Sequence, residues 1–260
     1  MKRAPVREVR PKAGSFLRMV PLCLLVLLLG ADPGRGGPCA PEGFAIAIDV
    51  GHSPESPGAT SARGVREYEF NRDLAQLLFA RLQAEGFKGS FVITGGREDL
   101  TLRERAERAN RAKADLLISI HHDSVQPFYL SPWSYGGRRL SYSDRFSGYS
   151  VFLCGSNGPY AESLILAEMV GRRMREAGFK PSLHHAEPVE GERRTLLDRE
   201  KGIYRDDGLA ILRAAKMAAI LLECGVIVNR DEEAALATPA YREKIVEALV
   251  SAFKEYCGRK

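Results

Sequence analysis

Three apolar runs stand out along this chain, and each ends in a side chain suited to metal or proton chemistry. Phe44-Ala45-Ile46-Ala47-Ile48-Asp49-Val50 leads through Gly51 to His52. Leu116-Leu117-Ile118-Ser119-Ile120 leads to His121-His122-Asp123, and Ala219-Ile220-Leu221-Leu222 leads to Glu223-Cys224-Gly225. Short, continuously apolar runs predict buried strands. Helical spacing of Leu74, Leu77, Leu78 and Leu82 predicts a helix over about 68–85, ended by Gly86. A short strand is expected over 90–94. Thr101 with Glu104 fits a capping box opening a helix to about 113. The many Arg and Glu residues of that helix read as an exposed face laced with ion pairs. A strand over 149–154 and a helix over 160–177, closed by Gly178, follow. Two more strands are expected over 209–212 and 218–222. Asn229 with Glu232 repeats the capping-box pattern, and Thr238-Pro239 opens a terminal helix with Pro at its first position. The stretches 123–148 and 180–207 have no apolar period and read as long polar loops, the first holding Trp133 and Tyr135. Alternating strands and helices predict an α/β fold: a single domain whose twisted, mostly parallel or mixed sheet carries helices on both faces.

Length and composition fit that reading. The 260 residues, 45% apolar and 8% aromatic, suffice for one domain with a sizeable core. The net charge of +5 is local. Of 38 basic and 33 acidic residues, six basic and one acidic lie in residues 1–31, leaving 32 of each in the remainder. A folded part without net charge gives no support for nucleic-acid binding. Residues 1–31 themselves read as a secretory signal: a basic start, an uncharged apolar run from Met19 to Leu29, and small residues at Gly30-Ala31. That run is too short for a comfortable membrane span. The expectation is therefore an exported protein of the periplasm or cell envelope, with no stable membrane insertion after cleavage. Residues 32–43, rich in Gly and Pro, read as a linker. Outside the signal are Cys39, Cys154, Cys224 and Cys257. A Cys39–Cys257 disulfide is one reading, since chain ends often lie close together; four reduced, mostly buried cysteines is the other. No CxxC pair is present for a thiolate metal site.

The chemistry-bearing residues gain weight together. His52 alone fits a polar cap on a strand end, and Glu67 and Glu69 fit ordinary helix-start carboxylates. His121 and His122, adjacent on a strand, must face opposite ways, so one of them enters any shared site. Glu223 follows four apolar residues, where an unpaired carboxylate costs several kcal/mol. Two imidazoles and a carboxylate are a known zinc set that leaves one position for water, and a further carboxylate can relay the proton to a leaving amine. His52, Glu67 and His121 would be the ligands and Glu223 the acid-base. His184-His185 reads as a solvated loop pair. Asp123 is a candidate to orient a metal-bound imidazole.

Order and context of these segments resemble the type 3 family of zinc-dependent N-acetylmuramoyl-L-alanine amidases. The matching segments are Ile48-Asp49-Val50-Gly51-His52, Gly64-Val65-Arg66-Glu67 with Asn71, Ser119-Ile120-His121, and Leu222-Glu223-Cys224-Gly225 followed by Asn229. The resemblance covers about 44–256 and implies a catalytic domain over 44–258. It implies one zinc ion held by His52, Glu67 and His121, with Glu223 catalytic, and peptidoglycan as the substrate. The implied reaction cuts the amide between N-acetylmuramic acid and L-alanine of the stem peptide. Ser53-Pro54 and His122-Asp123 depart from the family's usual Gly-Gly and Ala-Asn. The departures leave the groove shape and the task of His122 open, and an activator protein has no signature here. Two rival readings stay in view: a zinc peptidase or carboxypeptidase cutting within the stem peptide, and a non-catalytic wall-binding regulator.

Overall fold

The computed structural model describes residues 1–2, 4–5, 39–93 and 100–260. The signal expected over 1–31, save its first few residues, and the linker before Cys39 lie outside the described residues. In chain order the elements are β1 (Ile46–Val50), α1 (Glu67–Ala84), β2 (Phe91–Val92), α2 (Leu102–Arg111) and β3 (Leu116–Asp123). Next come β4 (Ser131–Tyr135), β5 (Arg138–Tyr142), β6 (Ser150–Leu153), α3 (Tyr160–Glu176), β7 (Thr195–Asp198) and β8 (Ile203–Arg205). The chain closes with α4 (Ala210–Ala214), β9 (Ala218–Val226), α5 (Arg230–Leu236) and α6 (Pro239–Cys257).

Seven strands form one mixed sheet in the order β2-β1-β3-β9-β6-β8-β7. The central β1, β3 and β9 are parallel neighbours, and β6 runs antiparallel to β9. Alternation along these strands divides the core in two. Ile46, Ile48, Leu116, Ile118, Ile220 and Leu222 share one cluster with residues of α1, α3 and α6. Ala47, Leu117, Ala219 and Leu221 pack on the other side with residues of α2 and α4. Burial on both faces is why these strands are largely apolar; the exceptions, Asp49 and Ser119, are buried and satisfy each other, Ser119 Oγ donating to Asp49 Oδ2 at 2.6 Å. The expected fold class is therefore the observed one. Among the described residues no helix is long and apolar enough to cross a membrane.

Several local expectations are corrected. Residues 209–212 do not form a strand: Ala210–Ala214 is a short helix, because so brief an apolar run carries no period of its own. The expected loop over 123–148 holds the β4–β5 hairpin, turned at Gly136 and Gly137 with φ of 56° and 73°. The expected loop over 180–207 contributes β7 and β8 to the main sheet. At α5, Asn229 caps Asp231 N and Glu232 N, but Glu232 does not reach back to it. Its carboxylate accepts from Gly148 N and Val226 N and so ties the end of the first long segment to β9. The Thr101–Glu104 capping box and the Thr238 cap form as expected.

Cys39 and Cys257 form a disulfide across 218 residues of chain, while Cys154 and Cys224 are free and buried. Cross-linking so long a loop removes much freedom from the unfolded chain. Reduction is expected to cost about 2–5 kcal/mol. It should lower Tm by on the order of 10 °C, read by calorimetry with and without a thiol reductant. An unchanged Tm would mean that the bond adds nothing to stability.

Candidate metal and acid-base site

The carboxyl ends of β1, β3 and β9 meet the start of α1, and this is where His52, Glu67, His121 and Glu223 lie. Parallel pairing of β3 with β9 sets His121 directly beside Glu223 in register. Strand β1 ends at Val50, and Gly51 N bonds Ile120 O, which keeps the two chains together to the point where His52 leaves the sheet. His52 has φ of 70°, a left-handed conformation uncommon for a non-glycine residue. Arg105 stabilises it: its guanidinium donates to Val50 O at 2.7 Å and His52 O at 2.7 Å, and it faces Asp49 Oδ1 at 3.3 Å. Arg105 is buried, unlike the rest of the charged face expected for α2. The helix pattern gave no hint of it, since an inward Arg looks like its exposed neighbours.

Glu67 opens α1 and faces both histidines. Its Oε2 lies 3.0 Å from His52 Nε2, and its Oε1 lies 3.1 Å from His121 Nδ1. Ala59 N donates to Oε2 at 3.0 Å and Asn71 Nδ2 to Oε1 at 3.3 Å. Burial opposes ionisation of this carboxyl, but its hydrogen bonds with His121 and His52 outweigh that and hold its pKa well below the ordinary range. One potential ligand atom from each of His52, Glu67 and His121 lies within 4.8 Å of the other two. The surrounding backbone is kept small to allow this. A Cβ on Gly51 would stand 2.4 Å from His121 Nε2, and one on Gly58 would stand 2.4 Å from Glu67 Oε2. Two imidazoles and an ionised carboxylate converging in this way fit a divalent ion of the zinc class.

His122 points away from this set, as adjacent strand residues must. It is buried, its Nδ1 lies 2.7 Å from Asn71 Oδ1, and its ring packs on Phe70. Burial pushes its pKa down to about 3, so it stays neutral. Through Asn71 it braces Glu67, a task that the sequence left unassigned.

Glu223 is half-buried as a residue, yet its Oε2 is sealed from solvent and has no hydrogen-bond partner. Burial, with the nearby carboxylates of Asp123 and Glu67, raises its pKa well above the ordinary range. A cation at the neighbouring set would oppose that rise. A carboxyl group so placed holds a proton more readily than an exposed one, which suits proton exchange with a reacting group. It lines a cavity of about 280 Å³ together with Asp123, Gln126, His185, Glu192 and Arg194.

Two expectations about neighbouring residues change. His184 and His185 are not a solvated pair: both are buried, and His185 Nε2 lies 2.8 Å from Asp123 Oδ2. Asp123 thus faces these two rings and not His52 or His121. No local pattern signals this pairing, which joins residues 62 apart across the fold. Trp133 and Tyr135 stack on each other at 5.4 Å, and the Arg63 guanidinium lies over both rings. Trp133 Nε1 donates to Ala62 O, which pins the β4–β5 hairpin to the loop carrying the site. The hairpin therefore has a small core of its own.

Comparison with known proteins adds four findings. The family model described as N-acetylmuramoyl-L-alanine amidase matches residues 46–255. The chain is similar to the amidase AmiC of Escherichia coli, 26% identical over 238 residues that cover 87% of this chain and 55% of AmiC. It is also similar to a probable amidase AmiB of Haemophilus influenzae, 28% identical over 219 residues, 77% of this chain and 49% of that protein. The chain thus spans about half the length of these two relatives. Its fold resembles that of the amidase Ami1 from Mycobacterium smegmatis, with a TM-score of 0.65 at 20% identity, covering 84% of this chain and 98% of that one.

Proposed function

The chain belongs to the N-acetylmuramoyl-L-alanine amidase family, and from that membership we propose that it hydrolyses the amide between N-acetylmuramic acid and L-alanine in peptidoglycan. The observation that carries this reading is the convergence of His52, Glu67 and His121 beside Glu223, whose buried Oε2 has no partner. His52, Glu67 and His121 would hold one zinc ion. When bound, zinc supplies Lewis acidity that makes water a competent nucleophile near neutral pH. Asn71 and Ala59 N fix the Glu67 carboxylate, and Arg105 fixes the His52 backbone, so that both enter the site preorganised. Glu223 takes up a proton from the attacking water and delivers it to the leaving amine of L-alanine. The raised pKa of Glu223 suits both halves of that exchange. Export to the cell envelope follows from the substrate and from the expected signal over 1–31.

Digestion of purified sacculi, with mass spectrometry of the products, tests the bond choice. Intact stem peptides bearing a free L-alanine amino group are expected. Shortened stems still attached to glycan would favour a peptidase acting within the stem. No soluble product from zinc-loaded protein would leave a non-catalytic wall-binding role.

A further inference from the structure

We propose that Asp123, His184 and His185 form a second divalent-cation site of the zinc class, separate from the His52–Glu67–His121 set. The three offer one ligand atom each, all within 4.8 Å of one another. Asp123 Oδ2 lies 2.8 Å from His185 Nε2 and 3.4 Å from His184 Nε2. Ligand atoms around a tetrahedral zinc ion, each about 2.0–2.1 Å from the metal, sit about 3.3 Å apart. The cluster therefore needs only small adjustments to close around an ion.

The surroundings of the three residues are those of a ligand set. A metal-bound imidazole usually donates its other ring nitrogen to a carboxylate, a backbone carbonyl or water, and a serine hydroxyl oxygen can accept in the same way. His185 Nδ1 lies 3.0 Å from Glu192 Oε2, and His184 Nδ1 lies 2.9 Å from Ser182 Oγ. Both outer partners are buried or nearly so, and Gln126 and Arg194 hold Glu192 in turn. Each ring is thus oriented from behind, with its Nε2 directed toward Asp123.

A metal-free ion bridge accounts for only part of this. His185, as an imidazolium between Asp123 and Glu192, would be satisfied, and those two carboxylates do raise its pKa to about 9 against the effect of burial. His184 would not be satisfied. Its side chain is fully buried, its Nε2 makes no hydrogen bond, and its ring stacks on His185 with centroids 3.9 Å apart. An orphaned buried nitrogen is destabilising, because it has given up water and gained no partner. A cation shared by both Nε2 atoms and Asp123 Oδ2 removes that orphan and neutralises Asp123 at once. Two imidazoles with one carboxylate suit zinc better than calcium or magnesium, which prefer oxygen ligands.

An entry path exists. Asp123, His185 and Glu192 line the same 280 Å³ cavity that Glu223 borders. An ion here would fix the turn at His184–Ala186 against the end of β3.

The test is zinc stoichiometry of the full chain. Protein stripped with a chelator, reloaded with Zn²⁺ and freed of excess metal is measured by mass spectrometry of the elements. The wild type is expected to hold one more equivalent than a His184→Gln/His185→Gln variant, and that difference should persist in a His52→Ala background. Equal zinc in the wild type and the double variant overturns the proposal. Failure of the amidase reading is distinguishable, since it appears as no zinc lost on His52→Ala alone. If the double variant does not fold, crystals of the unaltered protein soaked in Zn²⁺ decide the matter. Anomalous scattering at the zinc edge should show a peak among Asp123, His184 and His185. A peak only at His52, Glu67 and His121 overturns the second site.

Discussion

Glu223→Ala is expected to keep its zinc and lose roughly two to four orders of magnitude in the rate of amide hydrolysis, the usual size of an acid-base contribution. That loss corresponds to about 3–5 kcal/mol at the transition state. Zinc should be retained because Glu223 is not among the atoms that converge with His52 and His121. The rate should fall because no other carboxylate pairs with His121 in register across β3 and β9. Glu223→Gln keeps the size and removes the titration, so it separates chemistry from packing. It should be as inactive as the alanine variant. In the wild type, Glu223 must be ionised to accept a proton, so the rate should rise with pH through its pKa. Burial places that rise above the ordinary carboxylate value near 4.5. The glutamine variant should lack this limb. Sacculus hydrolysis at an undiminished rate by either variant would sink the assigned role.

The second large effect is expected at Glu67. Glu67→Gln should remove the zinc equivalent shared by His52 and His121, and with it the activity. The substitution deletes the only negative charge among the three ligands. It also disrupts contacts with both rings, at 3.0 and 3.1 Å. The loss in zinc affinity should exceed the roughly 10–100-fold typical of altering an outer partner of a metal ligand. Gln is preferred to Ala because Ala would leave Ala59 N without its acceptor, a cost of about 1–3 kcal/mol, and would leave Asn71 Nδ2 with Gly51 O alone. His52→Ala and His121→Ala should each lower zinc content by the same single equivalent. Elemental analysis is the readout, with circular dichroism as a check on folding. Full zinc occupancy in Glu67→Gln would remove Glu67 from the ligand set.

Much of the fold was legible because its central strands are buried on both faces. β1, β3 and β9 appear as largely apolar runs, and the polar residue that ends each run lies at the sheet's carboxyl edge. The helices with long leucine or alanine faces were equally plain. The β4–β5 hairpin was not, because its strands expose most positions and each turns only one or two residues inward. Its signal was present all the same: Gly136-Gly137 between Trp133-Ser134-Tyr135 and Arg138-Arg139-Leu140 is the two-residue turn that hairpins favour. Residues 209–212 misled because a four-residue apolar run fits a strand and a helix turn equally well.

By itself the sequence determined the alternation of strands and helices, the family resemblance, and the residue types that end the three central strands. Those follow from local patterning, which is written in neighbouring positions. Only the tertiary structure decided which side chains share a space. The order β1-β3-β9 brings His52, His121 and Glu223 to one edge, and the start of α1 brings Glu67 to it. The same topology buries Arg105 under His52 and turns His184 and His185 onto Asp123. Contacts across tens of residues depend on how the strands are ordered and how the loops return. Local propensity carries no record of that order, so residues that look solvated in the sequence can prove to be among the most buried.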